Sequence, residues 1–237
     1  MGMATHLHEA MQTVRLSNVR KSLAFLALFC VLAGTAAGKS KAITFGTWLP
    51  VKWQVGGSGE KTLPLKVRTL MVGSDVREFT TGEIHQVTDR VFVVRRAYRL
   101  NDALPDDEKA ATKWTWQPGG WLMVDRSSGH ITRINLPDYD FLYSSASWYR
   151  DYVAYCGVSD NGDQLYAVVM QIGQKKPVVR KLLGEAKDLG MPDSQCAAPV
   201  WQKQPMRVTF APVGGAKISF DIRGRGAELE PGSGDEE

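Results

Sequence analysis

The sequence predicts an all-β protein. Apolar and polar residues alternate with period two through most of the chain, long helix-period segments are absent, and clusters of Gly, Asn, Asp and Ser separate the alternating runs. With 43% apolar and 23% charged residues, the chain can bury a core, which excludes a largely disordered protein, a collagen and a coiled-coil fibre.

The first 38 residues read as an export signal. Arg15, Arg20 and Lys21 precede an uncharged apolar run from Leu23 to Ala33, and the small residues Gly34 to Gly38 follow. These are the three parts of a secretory signal peptide. The apolar run falls short of the ~20 residues that a membrane-spanning helix needs. The expectation is cleavage near Gly38, no stable membrane span afterwards, and a mature protein in the periplasm or outside the cell. An uncleaved N-terminal anchor is the alternative.

Residues 39–222 are expected to form a single all-β domain. The alternation places strands at 43–55, 65–72, 76–81, 87–100, 114–116, 120–125, 130–136, 152–158, 164–172, 178–183, 207–211 and 217–222. Asn161-Gly162 predicts a two-residue type I′ hairpin turn, because both central positions need positive φ and these residues tolerate it. Two short helices are expected, at 105–111, where proline and acids suit a helix start, and at 182–189. From Arg223 to Glu237 the chain is rich in acid, Gly and Pro with little to bury, which predicts a disordered acidic tail.

A weak repeat lies in the middle of the chain. Asp89-Arg90-Val91-Phe92-Val93-Val94 matches Asp151-Tyr152-Val153-Ala154-Tyr155-Cys156, and each is followed by two further strands. Over residues 87–183 this rhythm resembles the blades of secreted β-propeller repeat proteins. The resemblance implies an antiparallel meander of three-stranded units, small and propeller-like. A β-sandwich accounts for the same strands.

Losing the signal removes Cys30 and leaves Cys156 and Cys196. Two cysteines in an oxidising compartment predict one disulfide, with two separately buried thiols as the alternative. Two cysteines with His85 and His130 lack the spacing of a zinc site, so no metal and no cofactor are expected. Charge excludes less than it suggests. The mature chain keeps a net charge of +2 once Glu9, Arg15, Arg20 and Lys21 are gone, too little clustering for a nucleic-acid binder.

Catalytic chemistry finds thin support. An activated serine needs a nearby base, and Ser127-Ser128-Gly129-His130 after Asp125 supplies the residue types. The same run is what a tight turn requires. Asp138 and Asp140 would project to one face of an extended segment, as a carboxylate pair for hydrolysis or a cation would, yet calcium asks for six to eight oxygens. The stronger lead is aromatic. Tyr139, Tyr143, Trp148 and Tyr149 lie among Asp138, Asp140, Arg150 and Asp151, and Trp114 with Trp116 would share one strand face. Rings edged by polar groups recognise sugars or peptides, while a β domain also uses rings as core. The sequence therefore points to an exported, non-catalytic binding or interaction module for a glycan or a protein or peptide ligand, with Asp138, Tyr139, Asp140, Tyr143, Trp148 and Tyr149 as its ligand-binding residues. A secreted hydrolase with a carboxylate/His site and a structural component of a cell-envelope complex are the alternatives.

Overall fold

The computed structural model describes residues 42–54, 62–101, 114–186, 196–224 and 226–229. Among these residues no helix forms and strands dominate, as the alternation requires. The signal segment expected at 1–38 and the helix expected at 105–111 lie outside the described residues.

The first sheet contains seven strands: β1 (Ile43–Phe45), β2 (Leu49–Gln54), β3 (Thr62–Val72), β4 (Asp75–Gln86), β5 (Val91–Asn101), β6 (Trp114–Asp125) and β7 (His130–Ile134). From β2 to β6 each strand pairs antiparallel with the next, and the circuit closes where β2 meets β6 in parallel at Trp53 and Trp116. The closing pair has to be parallel. Strand direction alternates along a meander, so a first and a fifth strand run the same way. The sequence split β6 in two at Gln117 to Gly119. In the structure the strand continues, and Pro118 sits opposite Ala97 where the β5–β6 register shifts. Proline brings no N–H to the ladder, so a bulge is where a strand tolerates it. Leu70, Phe92, Val94, Leu122 and Val124 fill the core of this sheet.

The second sheet is a four-stranded meander of β8 (Ser147–Tyr149), β9 (Tyr152–Val158), β10 (Gln164–Gln171) and β11 (Val179–Glu185). The third is another, made of β12 (Cys196–Gln202), β13 (Arg207–Pro212), β14 (Ile218–Arg223) and β15 (Gly226–Leu229). Strand β9 explains how they stack. Tyr152, Ala154 and Cys156 enter a core shared with Val208, Phe210, Phe220 and Ile222 of the third sheet. Val153 and Tyr155 point the other way, into a core with Leu136 that Trp121, Ile134 and Trp148 pack against. Side chains alternate across a strand, so β9 is covered on both faces and the second sheet is the middle layer. The disulfide between Cys156 and Cys196, with Cα atoms 6.0 Å apart, ties that layer to the third sheet.

Several expectations need correction. The strands group as seven, four and four rather than in threes, and the second and third sheets pack against each other through a shared core. The matched segments 89–94 and 151–156 do correspond to similar environments, since Phe92 to Val94 and Val153 to Cys156 are consecutive buried residues in β5 and β9. Residues 182–185 are strand rather than helix: Leu182 and Gly184 pair with Tyr166 and Leu165, while Leu183 packs on the shared core. Pairing and burial outweigh a local preference worth tenths of a kcal/mol per residue. At Asn161-Gly162 only the glycine has positive φ (80°), and its N–H donates to the Ser159 carbonyl at 2.8 Å. That is a type I turn with glycine last, the arrangement asparagine can accept at negative φ. The disordered tail expected from Arg223 does not hold over its first described residues. Residues 226–229 pair with β14, Ala227 packs against the core, and 230–237 lie outside the described residues. Strand β12 escaped the sequence reading because Pro199 interrupts it, at a register shift between Ala197 and Val200.

Candidate functional site

The ring-rich stretch after β7 folds as a strap across the middle sheet. Asp138 adopts φ 57°, and its carbonyl accepts the Val158 N–H at 2.7 Å. It lies so close to Gly157 that a Cβ there would sit 2.8 Å from the Asp138 Cβ and 2.9 Å from its carbonyl oxygen. Glycine is the residue that lets the strap lie down. The Asp138 carboxylate takes two hydrogen bonds from Arg180, at 2.8 and 3.2 Å. Asp140 is turned inward to its own loop, where Oδ1 accepts the Leu142 and Tyr143 N–H groups at 2.7 and 3.3 Å. The buried Ser144 hydroxyl donates to the Cys156 carbonyl at 2.7 Å.

The rings follow the same pattern. Tyr139 meets Tyr155 edge to face at 5.1 Å, and its hydroxyl accepts the Trp121 indole N–H at 3.2 Å. Trp148 stacks on His85 at 5.9 Å and meets Trp121 at 5.1 Å, with its indole N–H buried and unpartnered among the described residues. Tyr149 packs against Trp201, whose indole N–H donates to the Ser147 carbonyl at 3.1 Å. Burial, with Asp138 close by, pushes the Tyr155 phenol far above its ordinary range, and its hydroxyl donates to the Pro137 carbonyl at 2.6 Å. Asp138, Tyr139, Asp140, Trp148 and Tyr149 are thus brought together as packing and turn-forming groups. Tyr143 is half-buried beside them. Trp114 and Trp116 do share a face, each within 6 Å of the Arg99 guanidinium, and Trp114 is 54% exposed.

The described concavities lie elsewhere, on either face of β7. The first, of about 810 Å³, has Val72, Val91, Leu122 and Ile131 as its apolar wall and Arg77, Glu78, Asp125, Ser128 and His130 among its polar residues. It is the place where the residue types of a serine-type site meet. Their bonds describe a turn instead: Asp125 Oδ1 accepts the Ser127 N–H and hydroxyl at 2.7 and 2.6 Å, and Ser128 Oγ accepts the His130 backbone N–H at 3.2 Å. Those bonds, the Ser127 hydroxyl first, hold the Asp125 carboxyl below its usual range. The other histidine, His85, donates from Nε2 to the Arg150 carbonyl at 2.8 Å. Among the described residues no three His, Cys, Asp or Glu side chains gather to hold a metal ion.

The second concavity, of about 540 Å³, runs between β7 and the turn after β10. Met123, Ile134, Leu136, Met170, Ile172 and Pro177 floor it, and Asn135, Gln174, Arg133 and Lys175 stand at its rim. Met123, Thr132 and Arg133 belong to both clefts. Between the clefts β7 pairs with β6 and with no other described strand. An edge of this kind presents the unpaired N–H and C=O of every second residue. Sequence reasoning placed a strand at 130–136 without any signal that it would be an edge.

No family model matches the chain, and no curated protein or solved structure matches it.

Proposed function

We propose that the protein is an exported, non-catalytic interaction module that takes up an extended segment of a partner protein along the free edge of β7. The carrying observation is the conjunction of that edge with an apolar-walled cleft on each face. A strand added to β7 gains main-chain hydrogen bonds, and its side chains alternate between the two clefts. A glycan has no amide ladder to offer. The rings that would have stacked on sugars are also engaged with one another and with the sheets. The disulfide is compatible with an extracellular location, in keeping with the export signal of residues 1–38. The edge serves equally if the partner is another component of a cell-envelope assembly.

A hydrolase is the second reading, favoured only by Asp125, Ser128 and His130 sharing the larger cleft. Screening the mature protein against a peptide library, a glycan array and chromogenic esters separates the three outcomes. The proposal expects peptide hits that slow amide hydrogen exchange within 130–134. Glycan hits alone, ester turnover lost in His130→Ala, or protection confined to other strands would overturn it.

A further inference from the structure

Resting on the docking reading above, we infer that the segment taken up along β7 is acidic, with an apolar residue entering the smaller cleft and carboxylates meeting Arg133 and Lys175. The inference comes from the charge left unbalanced around β7. The smaller cleft has an apolar floor, amides, two cations at its rim and no acidic residue among its lining. Arg133 and Lys175 are both exposed, and neither has an ion-pair partner among the described residues. Around the larger cleft the charges are mixed. Glu78 accepts from Arg96 at 2.8 Å, while Asp125, held by the neutral Ser127 and Ser128 groups, keeps its negative charge. Arg77 is held by Asp75 at 3.2 Å, which leaves Arg133, lining both clefts, as the shared free cation. A strand docking here therefore meets an excess of positive charge at the smaller cleft.

Complementary charge speeds encounter and penalises the wrong partner more than it adds raw affinity, so discrimination between charge types is the quantity to measure. Two labelled nonapeptides provide it, one alternating valine with glutamate and one alternating valine with lysine, each titrated by fluorescence anisotropy against the mature protein at low salt. The glutamate peptide is expected to bind about tenfold tighter or better, at ~0.7 kcal/mol for each of two rim pairs. Its affinity should fall as salt rises. The exposed double variant Arg133→Glu/Lys175→Glu should melt like the wild type and invert the preference.

Equal binding of both peptides, or tighter binding of the lysine peptide, overturns the inference while leaving docking on β7 intact if exchange at 130–134 still slows. A glutamate preference that survives the double reversal also overturns it, since the cations responsible then lie elsewhere. Sedimentation showing a dimer whose formation excludes the peptide would make the occupant a second copy and overturn it too. Binding of neither peptide overturns both the inference and the docking reading.

Discussion

Removing the Cys156–Cys196 disulfide tests how the middle and third sheets are held together. The bond closes a loop with a sequence separation of 40. In the chain-entropy account, cross-linking a loop of that length raises the free energy of the unfolded chain by about 4 kcal/mol at 25 °C. Both cysteines are 1% exposed and lie in the core that joins the two sheets, so alanine at each also leaves small gaps beside Ala154, Val208 and Phe210. Those gaps add the loss of two buried sulfur atoms, roughly 1 kcal/mol. The double variant Cys156→Ala/Cys196→Ala is therefore expected to lose about 4–5 kcal/mol. Urea unfolding followed by tryptophan fluorescence measures it, since Trp148 and Trp201 report on the middle and third sheets, and the melting temperature should fall by about 10 °C or more. The wild type in reducing buffer should lose the chain-entropy part alone. A double variant within 1 kcal/mol of wild type would refute the reasoning, because face-to-face packing of the sheets would then suffice without the cross-link.

Tyr139→Ala is expected to cost about 3 kcal/mol, because the ring packs on Tyr155 and holds the Trp121 N–H, whereas Tyr143→Ala should cost under about 1 kcal/mol; chemical denaturation distinguishes them. Phe210→Ala, at a residue 0% exposed in the core between the second and third sheets, should cost about 3–5 kcal/mol by the same assay. Gly157→Ala should cost about 1–3 kcal/mol, since the new methyl meets backbone and Cβ of Asp138 rather than a flexible side-chain end. The Asp221 carboxyl is held below its ordinary value of 3.8 by the Arg207 hydrogen bond at 2.7 Å. With its pKa lower in the folded state, its stabilisation is complete above about pH 4 and lost as pH falls. Asp221→Asn should thus flatten the acid limb of the urea midpoint, and an unchanged limb would sink this point.

What was legible in the sequence is what local chemistry decides. The span of β9, and that of β10 to within one residue, followed from alternation, and the disulfide from the two cysteines outside the expected signal segment. The pairing of β2 with β6 was not legible, because a single bridge at Trp53 and Trp116 depends on how the whole meander curls. Nor was β15, a four-residue Gly-Ala-Glu-Leu segment ahead of an acidic run, which extends a sheet already formed and packs Ala227 on its core. The packing of the strap at 138–149 was not legible for a different reason. Tyrosine beside aspartate has the same local signature whether the ring faces water or a neighbouring strand, and only the covering of β9 on both faces decides between them.

That double covering also limits where a ligand can bind. A middle sheet with both faces occupied offers its edges, and these are the short β8 and the basic β11, which carries Arg180 and Lys181. Short strands and outward lysines are how proteins blunt an edge against unwanted pairing. Strand β7, five residues long with Arg133 beside its central Thr132, carries part of the same protection, but the clefts beside it leave the approach open. An edge left open between apolar walls would be an aggregation hazard unless something regularly occupied it or its charge selected what may approach. Arg133 at the shared rim supplies that selection, repelling basic segments and admitting acidic ones. Replacing it with a neutral residue should therefore loosen specificity before it weakens the fold.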